Sequence, residues 1–224
     1  MSGDPWKDPA TASSCLDGAR RSVPFLPAVH AIVDQILAET VPADGCVLVV
    51  GAGGGLELAY LAERHDGWTF DGVDPSAPML RLAQETMGPR AGRATLTEGY
   101  AEHAPDGPYD GATCLLTLHF LPTQERLRTL EEIRKRLVPG APLLTFHHSV
   151  PDGPATRIWL ERFARAAAGP AADGDQIARS ADALMTRLPF LSPEADEALL
   201  RAAGFDDIGL FFTALTFRGW VAYA

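Results

Sequence analysis

At 224 residues, with 46% hydrophobic and 21% charged side chains, the chain has an ordinary globular composition and is short enough to fold as one unit. Its 19 Lys and Arg against 29 Asp and Glu leave a net charge of −10, a field that repels polyanions and disfavours a nucleic-acid footprint such as tRNA. Cys15, Cys46 and Cys114 form no C-x-x-C pair and are odd in number, which argues against a disulfide framework and a zinc site and fits a reducing cytoplasm.

The segment Met1 to Thr11 is polar and Pro-rich with no apolar core, and no later run approaches the ~18 apolar residues of a membrane span. A cytoplasmic protein without a membrane partner is therefore expected. Residues 1–20 have little periodicity and read as a flexible arm that Trp6 pins to the body. From Pro27 to Glu39 the residues Val29, Ile32, Val33, Ile36 and Leu37 recur at helical spacing, and Pro42 ends the helix. Cys46 to Val50 is a continuous β-branched apolar run, the mark of a central parallel strand buried on both faces.

The alternation continues with a helix over Gly55–Arg64, a strand over Thr69–Val73, a helix over Ala77–Thr86 and a strand over Ala94–Thr97. Next come a strand over Gly111–Leu116, a helix over Thr123–Leu137 and a strand over Leu143–Phe146. This order predicts an α/β fold with a Rossmann-like, doubly wound sheet of seven strands. Helices are expected at Arg157–Ala168, Asp175–Leu188 and Pro193–Ala203, with Gly204 as the terminating glycine. The strands Ile208–Phe217 and Gly219–Ala224 are too close for a helical crossover, so they are expected to form an antiparallel hairpin turning at Arg218-Gly219. No repeat or linker offers a second domain a place to begin, so one domain spanning 1–224 is expected, with 1–40 as an N-terminal arm and helix that serves as a lid.

Val47-Leu-Val-Val-Gly51-Ala52-Gly53-Gly54-Gly55-Leu56-Glu57 reads as strand, glycine turn and helix start, which brings backbone N–H groups close to a cofactor. A dinucleotide fingerprint needs glycine where Leu56 stands, so a nicotinamide cofactor is excluded. Asp74 ends the second strand, where a carboxylate accepts hydrogen bonds from ribose hydroxyls; the plainer alternative is a helix cap.

These segments make the chain resemble the class I S-adenosylmethionine (SAM)-dependent methyltransferases over nearly its whole length. The carrying residues are the G-x-G-x-G turn, Gly72-Val-Asp74-Pro75, Glu98-Gly-Tyr100-Ala101 and Tyr109-Asp110 through Leu115 to Pro122. Arg21-Ser-Val-Pro24, Thr117-Leu-His-Phe-Leu-Pro122, Ile133 to Gly140 and Ala203-Gly-Phe205 extend the similarity to the bacterial carboxy-SAM synthase of tRNA wobble-uridine modification and its methyltransferase-like relatives. The resemblance implies SAM as cofactor, S-adenosylhomocysteine as product, and a cofactor site of Gly51, Ala52, Gly53, Gly55, Asp74, Pro75, Met79, Tyr100, Ala101 and Leu115. Tyr100 either stacks on the base or plugs the rim.

Three departures qualify this. Val49 stands where the motif carries an acid, Leu115 where the synthase has Asn, and Leu199 where the synthase places an Arg toward the extra carboxylate of its ligand. Ordinary SAM is therefore the expected ligand. A small-molecule acceptor is expected, with a homodimer left open. His119 is the candidate catalytic base, against the plainer reading of a rim residue, and Arg21, His147, His148, Trp159 and Phe217 are candidate substrate contacts. The leading expectation is methyl transfer to a small acceptor; the alternatives are a carboxy-SAM-forming or carboxy-SAM-binding enzyme and a non-catalytic SAM-binding protein.

Overall fold

The computed structural model describes residues 18, 23–169 and 171–224. Trp6, Cys15 and Arg21 lie outside the described residues, and so does most of the arm expected to act as a lid. The elements run α1 (Leu26–Leu37), β1 (Cys46–Val50), α2 (Leu56–Arg64), β2 (Thr69–Asp74), α3 (Ala77–Met87), β3 (Ala94–Glu98) and β4 (Gly111–Leu115). They continue with α4 (Thr123–Arg136), β5 (Pro142–His148), α5 (Pro154–Ala168), α6 (Gly174–Arg187), α7 (Pro193–Ala202), β6 (Asp206–Ala214) and β7 (Phe217–Tyr223).

The seven strands form one sheet in the order β3-β2-β1-β4-β5-β7-β6. Strands β1 to β5 are parallel; β7 runs antiparallel to both β5 and β6. The order reverses between β1 and β4, and in such sheets ligands bind at the carboxyl ends of the strands flanking that reversal.

The buried strands explain the unbroken apolar runs. In β1, Val47 and Val49 pack on one face with Val29, Val33 and Leu37 of α1 and Leu58 and Leu61 of α2. Leu48 and Val50 point the other way, into a core with Leu130 and Ile133 of α4 and Leu200 of α7. Helix α6 opens on Asp173, whose carboxylate accepts from Gln176 N, and α7 opens on Ser192, whose hydroxyl accepts from Ala195 N. Gly204 takes φ +89° directly beyond α7, as a terminating glycine should.

The hairpin turn differs from expectation. It falls at Leu215-Thr216, and Arg218 and Gly219 lie inside β7. Gly219 marks a close approach across the strands, since a Cβ there would stand 2.6 Å from the Phe211 ring. The turn itself is made by Leu215 at φ +53°, a residue whose side chain gives no turn signal.

Candidate active site

The glycine turn closes the end of β1 over β2. Gly51 N and Ala52 N both donate to Val73 O, at 2.8 and 3.0 Å. Gly51, Gly53 and Gly55 all have positive φ, and a Cβ on Gly51 would overlap the Thr117 side chain. Gly55 is the N-cap of α2 and supplies no side chain to its first N–H groups. The turn is thus an open cradle of backbone.

Asp74 sits beside it, partly buried at the end of β2. Its Oδ2 accepts from Gly53 N at 2.9 Å and its Oδ1 from Ser76 N at 2.9 Å. The cap of α3 is Ser76, whose Oγ accepts from Met79 N, so the capping alternative for Asp74 does not hold. A carboxylate at the end of β2 is the acceptor type that ribose hydroxyls call for. Ala52, Met79, Ala101 and Leu115 are buried, and Pro75 is half-buried. Tyr100 is 53% exposed, with its N–H donating to His103 Nδ1. After Leu115, Leu116 takes φ +56°; this left-handed residue ends β4 one position earlier than its apolar run suggests and delivers Thr117 over Gly51.

Beside this cradle lies a cluster of rings. His119, in a helical turn over Leu118–Phe120, meets His148 edge-on with centroids 5.0 Å apart. His148 stacks on Phe217 at 3.9 Å, meets Phe163 edge-on, and shares a 2.8 Å hydrogen bond between Nδ1 and Thr216 Oγ1. Burial lowers the His148 pKa to about 3. Burial and the neighbouring His148 hold His119 well below the usual imidazole range, and its Nδ1 has no hydrogen-bond partner. Both rings are neutral at physiological pH. Phe163 also walls a cavity of about 380 Å³ between α5 and α6, lined by Ala164, Ala167, Ala183, Leu184 and Arg187 among others.

The remaining substrate candidates fare differently. Strand alternation turns His147 to the face opposite His148, where its Nε2 lies 3.3 Å from Asp196 Oδ2 and its ring packs by Trp220. Phe217 is fully buried and serves as the floor under His148. Trp159 lies half-buried on α5 under the Arg162 guanidinium, outside the cavity lining. Leu199, where the synthase places an Arg, packs partly buried against the core formed with α4.

Two features escaped sequence reasoning. Arg126 is fully buried and donates to Leu121 O, Asp196 Oδ1 and Pro189 O, joining the His119 loop to the segment before α7. Its partners are distant in sequence and no motif announces them. Glu57, in the first turn of α2, is buried with Oε1 unpartnered. In sequence it reads as an ordinary first-turn acid favoured by the helix dipole.

Residues 48–143 match the methyltransferase domain family. A carboxy-S-adenosyl-L-methionine synthase of Chromohalobacter salexigens is 28% identical over 212 residues, covering 92% of this chain and 78% of that protein. An O-methyltransferase family protein of Burkholderia thailandensis superposes with a TM-score of 0.69 at 15% identity, over 96% of this chain and 60% of that one. Human N-acetylserotonin methyltransferase, solved with SAM, does so with a TM-score of 0.58 at 16% identity, over 99% of this chain and 60% of its own. Together with a glycine turn and a β2 carboxylate at the sheet's switch point, the match over residues 48–143 supports a SAM-dependent methyltransferase.

Proposed function

We propose that the protein methylates a small-molecule acceptor seated between the ends of β4 and β5 and the cap formed by α5 and α6. The observation that carries this reading is the neutral His119–His148 pair, which links the loop after Thr117, packed on Gly51, to Phe163 in the wall of the α5–α6 cavity. SAM supplies an electrophilic methyl group; the acceptor's lone pair forms the new bond while the sulfur keeps the electrons of the old one. Positioning does most of what such a displacement needs. The unpartnered Nδ1 of His119 is suited to accept a hydrogen bond from an acceptor O–H or N–H and so aim its lone pair. Its depressed basicity makes it an orienting group first and a proton acceptor second.

The net charge of −10 supports a small acceptor over a nucleic acid. Pairing of β5 with β7 returns the chain after α5–α7 to the same sheet, which supports reading it as one domain. Incubation with methyl-labelled SAM and a fractionated metabolite extract tests the proposal: label should enter a small molecule, and label entering only tRNA would overturn it.

Carboxy-SAM chemistry is the second reading, favoured by what the Chromohalobacter relative is named for. It calls for a cation to meet the added carboxylate. Arg157 is engaged by Glu161 and Asp182, and Arg218 is turned onto the carbonyls of Leu215 and Phe217. Mass spectrometry of the ligand that co-purifies separates the two readings.

A further inference from the structure

Glu57 is a buried carboxyl two residues beyond the last glycine of the turn. Gly55 caps α2, Glu57 follows in its first turn, and the register of β1 with β4 sets Val49 beside Thr113, the residue next to the Glu57 carboxyl. Oε1 of Glu57 is buried without a hydrogen-bond partner, and the Thr113 hydroxyl approaches the carboxyl. Among the described residues no Lys, Arg or His forms an ion pair with Glu57; the other ionisable group that faces it is the Cys114 thiol, itself held neutral by burial. Burial raises the Glu57 pKa to about 7, with Thr113 easing it slightly back. A buried carboxyl left without a cation is costly in its charged form and is usually retained where it meets one from outside.

We propose that Glu57 is the counter-charge for the cationic part of SAM and that SAM binding expels the proton from its carboxyl to solvent. Glu57 thus takes, from the helix side, the place that Val49 leaves apolar on the neighbouring strand. The inference rests on the SAM assignment. A cation in the cradle stabilises the carboxylate through a medium of low polarity, and the proton leaves as the positive charge arrives. S-adenosylhomocysteine lacks the sulfonium charge, so it should expel less.

Isothermal titration of the full chain with SAM at pH 7, in phosphate and in Tris, counts the protons released. The wild type is expected to release on the order of half a proton per SAM, S-adenosylhomocysteine to release less, and Glu57→Gln to abolish the release. The protonated-carboxyl band in difference infrared spectra should weaken when SAM is added to the wild type and be absent from the variant's difference spectrum. Equal heats in the two buffers for the wild type, or a release unchanged in Glu57→Gln, would overturn the proposal. Absence of any SAM heat would instead overturn the cofactor assignment. Glu57→Gln keeps the side chain's shape and removes its charge, and a thermal melt establishes that it is folded before titration.

Discussion

Arg126 Nη1 donates to Asp196 Oδ1 at 2.8 Å, in a pair that is almost wholly excluded from solvent and spans 70 residues of sequence. Removing one partner strands the other as a buried charge. Arg126→Met or Asp196→Ala is therefore expected to lower stability by about 3–5 kcal/mol, while the double replacement Arg126→Met, Asp196→Leu recovers much of it. Urea denaturation of the single and double variants checks this, and additive losses would contradict a coupled pair.

Asp74 and Ser76 are expected to separate affinity from stability. Asp74→Ala should weaken SAM by about 1.5–3 kcal/mol, on the order of 10- to 100-fold, through lost charge-assisted hydrogen bonds. Ser76→Ala should cost about 1 kcal/mol of stability through lost capping and leave SAM affinity intact. Calorimetry and thermal melts on both variants provide the comparison. Equal affinities for wild type and a folded Asp74→Ala would remove Asp74 from the site.

The buried ionisable groups set a pH window for stability. Unfolded histidine takes up a proton near pH 6.5, but folded His148 and His30 resist it until about pH 3 and about pH 4. The unfolded chain thus binds more protons below 6.5, and stability falls as pH drops from there. Glu57 works in the other direction: its folded pKa of about 7 exceeds the ordinary 4.5, so its neutral form stabilises below 4.5 and stability is lost as pH rises toward 7. At about 1.4 kcal/mol per pKa unit, Glu57→Gln should gain up to about 3 kcal/mol at pH 8 and nearly nothing at pH 4. Melting curves of both proteins from pH 4 to 8 test the sign; a constant difference across that range would contradict it.

Filling the cavity between α5 and α6 should affect the acceptor and not the cofactor. Ala167→Trp places an indole in the roughly 380 Å³ space and is expected to raise the acceptor KM at least tenfold with SAM affinity unchanged. Steady-state kinetics alongside SAM titration distinguishes these effects. A KM that stays constant would place the acceptor elsewhere.

Strand and helix order was readable because β1, β4 and β5 are buried on both faces and so write continuous apolar runs, while α1 and α4 write one-sided stripes. The glycine turn was readable because left-handed backbone at Gly51, Gly53 and Gly55 restricts those positions to glycine. The hairpin turn was misplaced because Leu215 carries the positive φ and Gly219 serves ring packing across the strands. The Arg126 network was hidden because a buried charge is recognised by its partners, and those are brought together only by the sheet. His147 and His148 are adjacent in sequence, and only the direction of β5 decides which one reaches the ring cluster.

The excursion carrying α5 and α6 leaves and rejoins the body at one clasp, where Val150 N donates to Leu191 O at 3.0 Å. Loop-closure entropy grows only slowly with length, so a segment whose two ends already meet can be lengthened, shortened or replaced at little cost to the rest. On the proposed placement of the acceptor, the segment that faces it is a cassette set onto a sheet whose glycine turn and Asp74 lie on strands it does not interrupt. Chimaeras joined at Val150 and Leu191 would carry new acceptor preferences on an unaltered cofactor half.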